Sequence, residues 1–158
     1  VPGLRLHPRP PFALRLDLSG ARPQLRVHLR IGERLAHELV DHLHKHQHVK
    51  VVNTIRERVG GPVRQALAAA LHRLLARRDI TLPEGASARI ADALAEAIAR
   101  SVAHQLPAAA AALTAAAKDP APGVTLTFGF AFADKAALVR GHIGDPTLSI
   151  HPGVVHRD

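Results

Sequence analysis

Apolar and polar residues alternate strictly in two stretches near the start of the chain and again near its end, and the spacing between those regions is helical. Residues 12–18 read Phe-Ala-Leu-Arg-Leu-Asp-Leu, and residues 25–31 read Leu-Arg-Val-His-Leu-Arg-Ile. A period of two marks a strand with one buried face. Ser19-Gly20-Ala21-Arg22-Pro23 supplies turn residues between them, so residues 12–31 are expected to form an antiparallel hairpin. Its core face would carry Leu14, Leu16, Leu18, Leu25, Val27, Leu29 and Ile31, leaving Arg15, Asp17, Arg26, His28 and Arg30 on the other face. The alternation resumes over residues 124–132 (Val-Thr-Leu-Thr-Phe-Gly-Phe-Ala-Phe), and a shorter strand is expected at 147–151.

The middle of the chain follows a different period. Leu35, Ala36, Leu39, Val40 and Leu43 stripe a helix expected from Glu33 to His46. Residues 49–59 admit two readings: Val49, Val51 and Val52 suit a strand, whereas Thr54 and Glu57 have the spacing of a capping box. Gly60-Gly61-Pro62 interrupts that segment, and Pro62 suits the first turn of a new helix with Leu67, Leu71 and Leu75 on its apolar face. Ser87 is read as the cap of a helix carrying Ile90, Leu94, Ile98 and Val102, with Pro107 ending or kinking it and a further helix over 108–118. Residues 134–139 suggest a short helix.

The order strand, strand, helices, strand, strand predicts an α+β fold. The N-terminal hairpin and C-terminal strands would share one mostly antiparallel sheet, packed against three to four central helices. With 158 residues, one domain is expected: a Pro-rich arm at 1–11 (Leu4 to His7 read as the start of an edge strand), the hairpin at 12–31, a helical region at 33–118, a loop at 119–123, and strands and tail at 124–158.

Composition narrows the chemistry. Cys is absent, which removes disulfides, thiolate metal sites and a cysteine nucleophile. Four Phe with no Tyr or Trp leave aliphatic residues to fill the core. No stretch approaches the roughly 18 uninterrupted apolar residues of a membrane span, and Pro2, Pro8, Pro10 and Pro11 break up any apolar signal core. A soluble chain is expected, cytoplasmic or exported in processed form.

Charge is polarised. Residues 1–79 hold 15 Lys and Arg against 6 Asp and Glu, while residues 80–158 hold 6 against 7. Such asymmetry suits an anionic partner. The strongest candidate is the hairpin face, with Arg15, Arg26, His28 and Arg30, extended by Arg73, Arg77 and Arg78. A second candidate is the small-residue face of the C-terminal strand, Thr125, Thr127, Gly129, Ala131 and Ala133, which suits close coverage by a helix or another chain. A third is the histidine-rich segment: on one continuous helix His37, Asp41, His44 and His48 share a face and could hold a divalent metal.

Catalytic signatures are weak. No Ser lies in a Gly-x-Ser-x-Gly elbow, no Gly-rich phosphate loop precedes a helix, and His142 near Asp145 is an isolated pairing in a turn. No small-molecule substrate and no cofactor beyond a divalent metal is indicated. The sequence therefore reads as a non-enzymatic structural or protein-interaction subunit, docking into an assembly or self-associating. Its alternatives are sequence-non-specific nucleic-acid binding through the Arg-rich face and metal binding through the histidine cluster.

Overall fold

The computed structural model describes residues 12–58, 62–117 and 124–152. The expected arm at 1–11, including Leu4 to His7, the loop at 119–123 and the tail after 152 lie outside the described residues. The elements run β1 (Phe12–Asp17), β2 (Gln24–Ile31), α1 (Glu33–His44), α2 (His48–Arg58), α3 (Pro62–Ala76), α4 (Ala86–Ala117), β3 (Val124–Ala131), α5 (Lys135–Arg140) and β4 (Thr147–Pro152). The strands form one antiparallel sheet in the order β1-β2-β3-β4, so the fold is α+β as the alternation implied.

Register aligns the apolar positions of three strands into rows. Leu14 faces Val27, which faces Phe128; Leu16 faces Leu25, which faces Phe130. These side chains are buried and form the sheet's contribution to a continuous core. Against that face lies α4, contacting β3 and β4, while α1, α2 and α3 pack around α4. Between Ile90 and Val102 the burial of α4 extends well beyond one stripe, taking in Ala91, Leu94, Ala95, Ala97, Ile98, Ala99 and Ser101. Small residues there let several elements approach one helix. Arg64 of α3 ties the layers together by donating to Asp92 (3.2 Å) and Glu96 (2.9 Å), one turn apart on α4. Its hydrogen bond holds the Glu96 carboxyl below its ordinary value.

Several local expectations are corrected. Of residues 49–59, those described, 49–58, fall in a helix: Val51 and Ile55 are buried one turn apart, whereas Val49 is exposed. Thr54 is no cap; its hydroxyl donates to the Lys50 carbonyl within α2 (2.7 Å). Ser87 lies inside α4, which begins at Ala86. Pro107 does not end that helix, and 108–117 belongs to it, because the backbone hydrogen bond lost at proline leaves the rest of a 32-residue helix to hold the element. The first central helix stops at His44 rather than His46.

Three helices stop in the same way. After α1, Gln47 N–H donates to His42 C=O and His46 N–H to Leu43 C=O, the paired bonds of a Schellman cap. Ile80 to Leu75 and Asp79 to Ala76 repeat the pattern after α3, as do His142 to Ala137 and Gly141 to Leu138 after α5. The left-handed residue is His46 (φ 55°), Asp79 (φ 57°) and Gly141 (φ 70°) respectively. Glycine relieves this conformation, which costs other residues about 1–2 kcal/mol, less for Asp. His46→Gly should therefore raise stability by about 1 kcal/mol, more than Asp79→Gly does. Gly141→Ala should lower it, since its added methyl also meets Ile90 Cγ1 at 3.3 Å. Urea unfolding of the three variants checks this order.

Candidate functional site

The sheet face turned away from the core is built by the same register. Its rows are Asp17-Gln24-Ala131, Arg15-Arg26-Gly129-Thr147, Ala13-His28-Thr127-Ser149 and Arg30-Thr125-His151, read across neighbouring strands. Arg15 and Arg26 are thus direct cross-strand partners, an arrangement that brings like charges together and opposes sheet formation. Both are exposed, and among the described residues neither forms an ion pair. Asp17 is the nearby acid, but it is committed to the hairpin turn, accepting from Ser19 N–H (2.9 Å) and Ser19 Oγ–H (2.6 Å). Those bonds, more than the neighbouring arginines, hold its carboxyl below the ordinary value.

His28 sits in the middle of this face, half-buried, sharing a 2.9 Å hydrogen bond between Nδ1 and Thr127 Oγ1. Burial lowers its pKa first, and the charges of Arg26, His151, Arg15 and Arg30 lower it further. The imidazole therefore registers a positive field converging on it from three strands.

The small-residue face of β3 divides. Thr125 is fully buried, Thr127 and Gly129 are half-buried, and Ala131 is exposed. Gly129 has a local reason to lack a side chain: a Cβ there would lie 2.7 Å from Thr147 Oγ1 on β4. It also leaves no side chain opposite Arg26. Ala133 does not belong to this face, because β3 ends at Ala131 and the chain turns toward α5, where the Asp134 carboxylate caps Ala137 N–H (2.8 Å).

The remaining arginines approach from the side. The sheet ends at β1, and α3 runs alongside it. A groove of about 370 Å³ between them is lined by Phe12, Ala13, Leu14, Arg30, Ala70, Arg73, Leu74 and Arg77. A second, of about 820 Å³, continues along Leu14 to Ser19 and is flanked by Leu74, Arg77 and Arg78. Arg77 and Arg78 lie just beyond the end of α3, in its Schellman turn. Arg15, Arg30, Arg73, Arg77 and Arg78 thus gather along one sheet edge, while Arg26 and His28 lie further in.

The histidine segment is arranged differently from the single helix face expected of it. His37, Asp41 and His44 are exposed on α1, but His48 opens α2 beyond the left-handed turn at His46. Asp41 is paired with Lys45 (3.0 Å). Among the described residues no three His, Asp or Glu side chains gather as a metal site would require. His42 is half-buried, sharing 3.1 Å with Gln47 Oε1 across the same turn. The pairing of His142 with Asp145 also dissolves, since Asp145 reaches toward Arg100 (3.9 Å). Sequence reasoning placed no role on Thr147, Ser149 and His151, although their alternation in β4 puts them on the basic face.

No protein-family profile, curated protein or solved structure is similar to this chain. Among the described residues no helix is long and apolar enough to cross a membrane.

The depressed pKa of His28 has a signed consequence. The fold favours its neutral form, so the associated stability is fully present above the ordinary pKa of about 6.5 and is lost as pH falls through the lower folded value. The imidazole signals of His28 should titrate below those of a His in an unfolded peptide. His28→Gln should flatten the decline in stability over that acidic window, which denaturation at stepped pH measures.

Proposed function

We propose that this chain is a non-enzymatic binding subunit, and that its basic sheet face docks an acidic partner protein within a larger assembly. The observation that carries the reading is the cross-strand pair of Arg15 and Arg26, which forms no ion pair among the described residues, the nearby Asp17 being bonded to Ser19. Arg64, by contrast, is bound by two carboxylates. A like-charge pair that opposes folding is accounted for when an external anion completes it.

The chemistry of the face favours a protein over single-stranded nucleic acid. All four Phe are buried, and the chain has no Tyr or Trp, so the face offers bases only the smaller rings of His28 and His151 for stacking. Pairing of this face with a second copy would set its arginines against each other, which favours an unlike, acidic partner. Duplex nucleic acid would still meet the same cations through phosphate oxygens, so it is the competing ligand in the test.

Neutralising Arg15→Gln or Arg26→Gln should raise stability by about 0.2–1 kcal/mol, while Arg64→Gln should lower it. The same Arg15 and Arg26 variants should weaken binding of polyglutamate at low salt by about tenfold or more, one ion pair or hydrogen bond to a charged group being worth up to about 3 kcal/mol. Unfolding curves and fluorescence anisotropy read the two effects. Loss of stability on removing either arginine would show that they serve the fold, and preferential binding of mixed-sequence duplex would transfer the face to nucleic acid.

A further inference from the structure

We infer that the outward edge of β1 is the seat of an extended acidic segment of the partner, added to the sheet as a fifth strand. This rests on the docking reading above and specifies where and how the partner is held. Three observations converge on it.

The first is the edge itself. β1 ends the sheet, and among the described residues no strand lies beyond it. Every second residue of an edge strand points its backbone N–H and C=O away from the sheet, a ready template for another chain. Of the usual blocks on an edge, β1 has no proline, lysine or bulge, pairing with β2 in unbroken register from Phe12 to Asp17; it carries the charges of Arg15 and Asp17, and α3 runs beside it with grooves left between.

The second is shape. The two grooves follow this edge from Phe12 to Ser19, bounded by α3 on the other side. Six residues of strand extend about 20 Å, so the channel matches the edge rather than a compact ligand. Half-buried Leu74 offers an apolar floor beside it.

The third is charge. Side chains of an added strand point alternately to the two faces of the sheet. One set would meet Arg15 on the outer face, and the other would meet Arg73, Arg77 and Arg78 from α3. Carboxylates in either phase therefore find guanidinium groups, with Asp17 as the like charge beside Arg15. The backbone decides the class of occupant: an edge offers both donors and acceptors, which a peptide answers in full, whereas a phosphodiester chain supplies acceptors alone.

The test uses the full chain, isotopically labelled, with a peptide of alternating Glu and Thr as long as β1. Two control ligands accompany it: the same composition interrupted by Pro, and a mixed-sequence duplex. Binding should slow amide exchange at the outward-pointing residues of β1 by about tenfold or more, and the Pro-containing peptide should bind about tenfold more weakly, having lost backbone hydrogen bonds. R73E/R77E, both exposed positions, should weaken the alternating peptide by a similar factor while leaving the circular dichroism spectrum unchanged. R73Q/R77Q gives a milder form of the same loss should charge reversal disturb α3. Peptide binding that leaves β1 exchange unchanged, or that tolerates proline, overturns strand addition but leaves a docking face. Protection of β1 in the free chain, by a second copy or otherwise, overturns it as well. No peptide binding at any salt overturns it too, and the stability of the Arg15 and Arg26 variants then judges the docking reading separately.

Discussion

The burial of α4 between the sheet and the other helices is the constraint on which the rest of the structure depends. A helix packed on several sides cannot present the usual single apolar stripe; it must be narrow wherever neighbours converge. Ala91, Ala95, Ala97, Ala99 and Ser101 provide that, while Ile90, Leu94, Ile98 and Val102 supply apolar volume. The four Phe crowd onto the sheet side instead, at Phe12, Phe128, Phe130 and Phe132. Division of labour between large residues on strands and small ones on α4 lets a core poor in aromatics close. It also fixes which sheet face is hidden, and therefore that Arg15, Arg26 and His28 look outward.

Much of this architecture was legible because alternation survives any tertiary context: a strand with one face on the core has few other ways to be written. What escaped the sequence were features set by more distant neighbours. Thr54 with Glu57 carries a cap's spacing, yet helix α2 had already begun at His48. Pro107 is a helix breaker by local chemistry, overruled in a long element packed against others. His46 and Asp79 stop their helices in the left-handed conformation without the glycine that normally signals it, so the end of α1 was read too late. That single turn rotated His48 out of the face it was expected to share with His37, Asp41 and His44.

The candidate site shows the same boundary between local and distant information. The hairpin's basic face follows from period two alone. That Arg73, Arg77 and Arg78 stand beside β1 does not, because it depends on α3 being drawn to the sheet's edge by the burial of Leu67, Leu71 and Leu75 on its other side. A helix that buries one stripe must display the opposite one somewhere, and its placement against an edge strand turns a solvated face into one wall of a groove.

Two kinds of energy are kept apart at that wall. Arg64 is satisfied within the chain and stabilises the contact of α3 with α4, whereas Arg15, Arg26, Arg30 and His151 create a field that, added to its burial, His28 senses as resistance to protonation. Exposed arginines outside any ion pair, as Arg15 and Arg26 are among the described residues, add little to folding but lower the energy of an anion brought to them. Charge alone would accept every polyanion equally. Discrimination has to come from the part of the surface with both hydrogen-bonding senses and a fixed spacing, and only a strand's open edge has these. In the docking proposed above, the basic face would set how strongly a partner is attracted, and β1 what kind of polymer it must be.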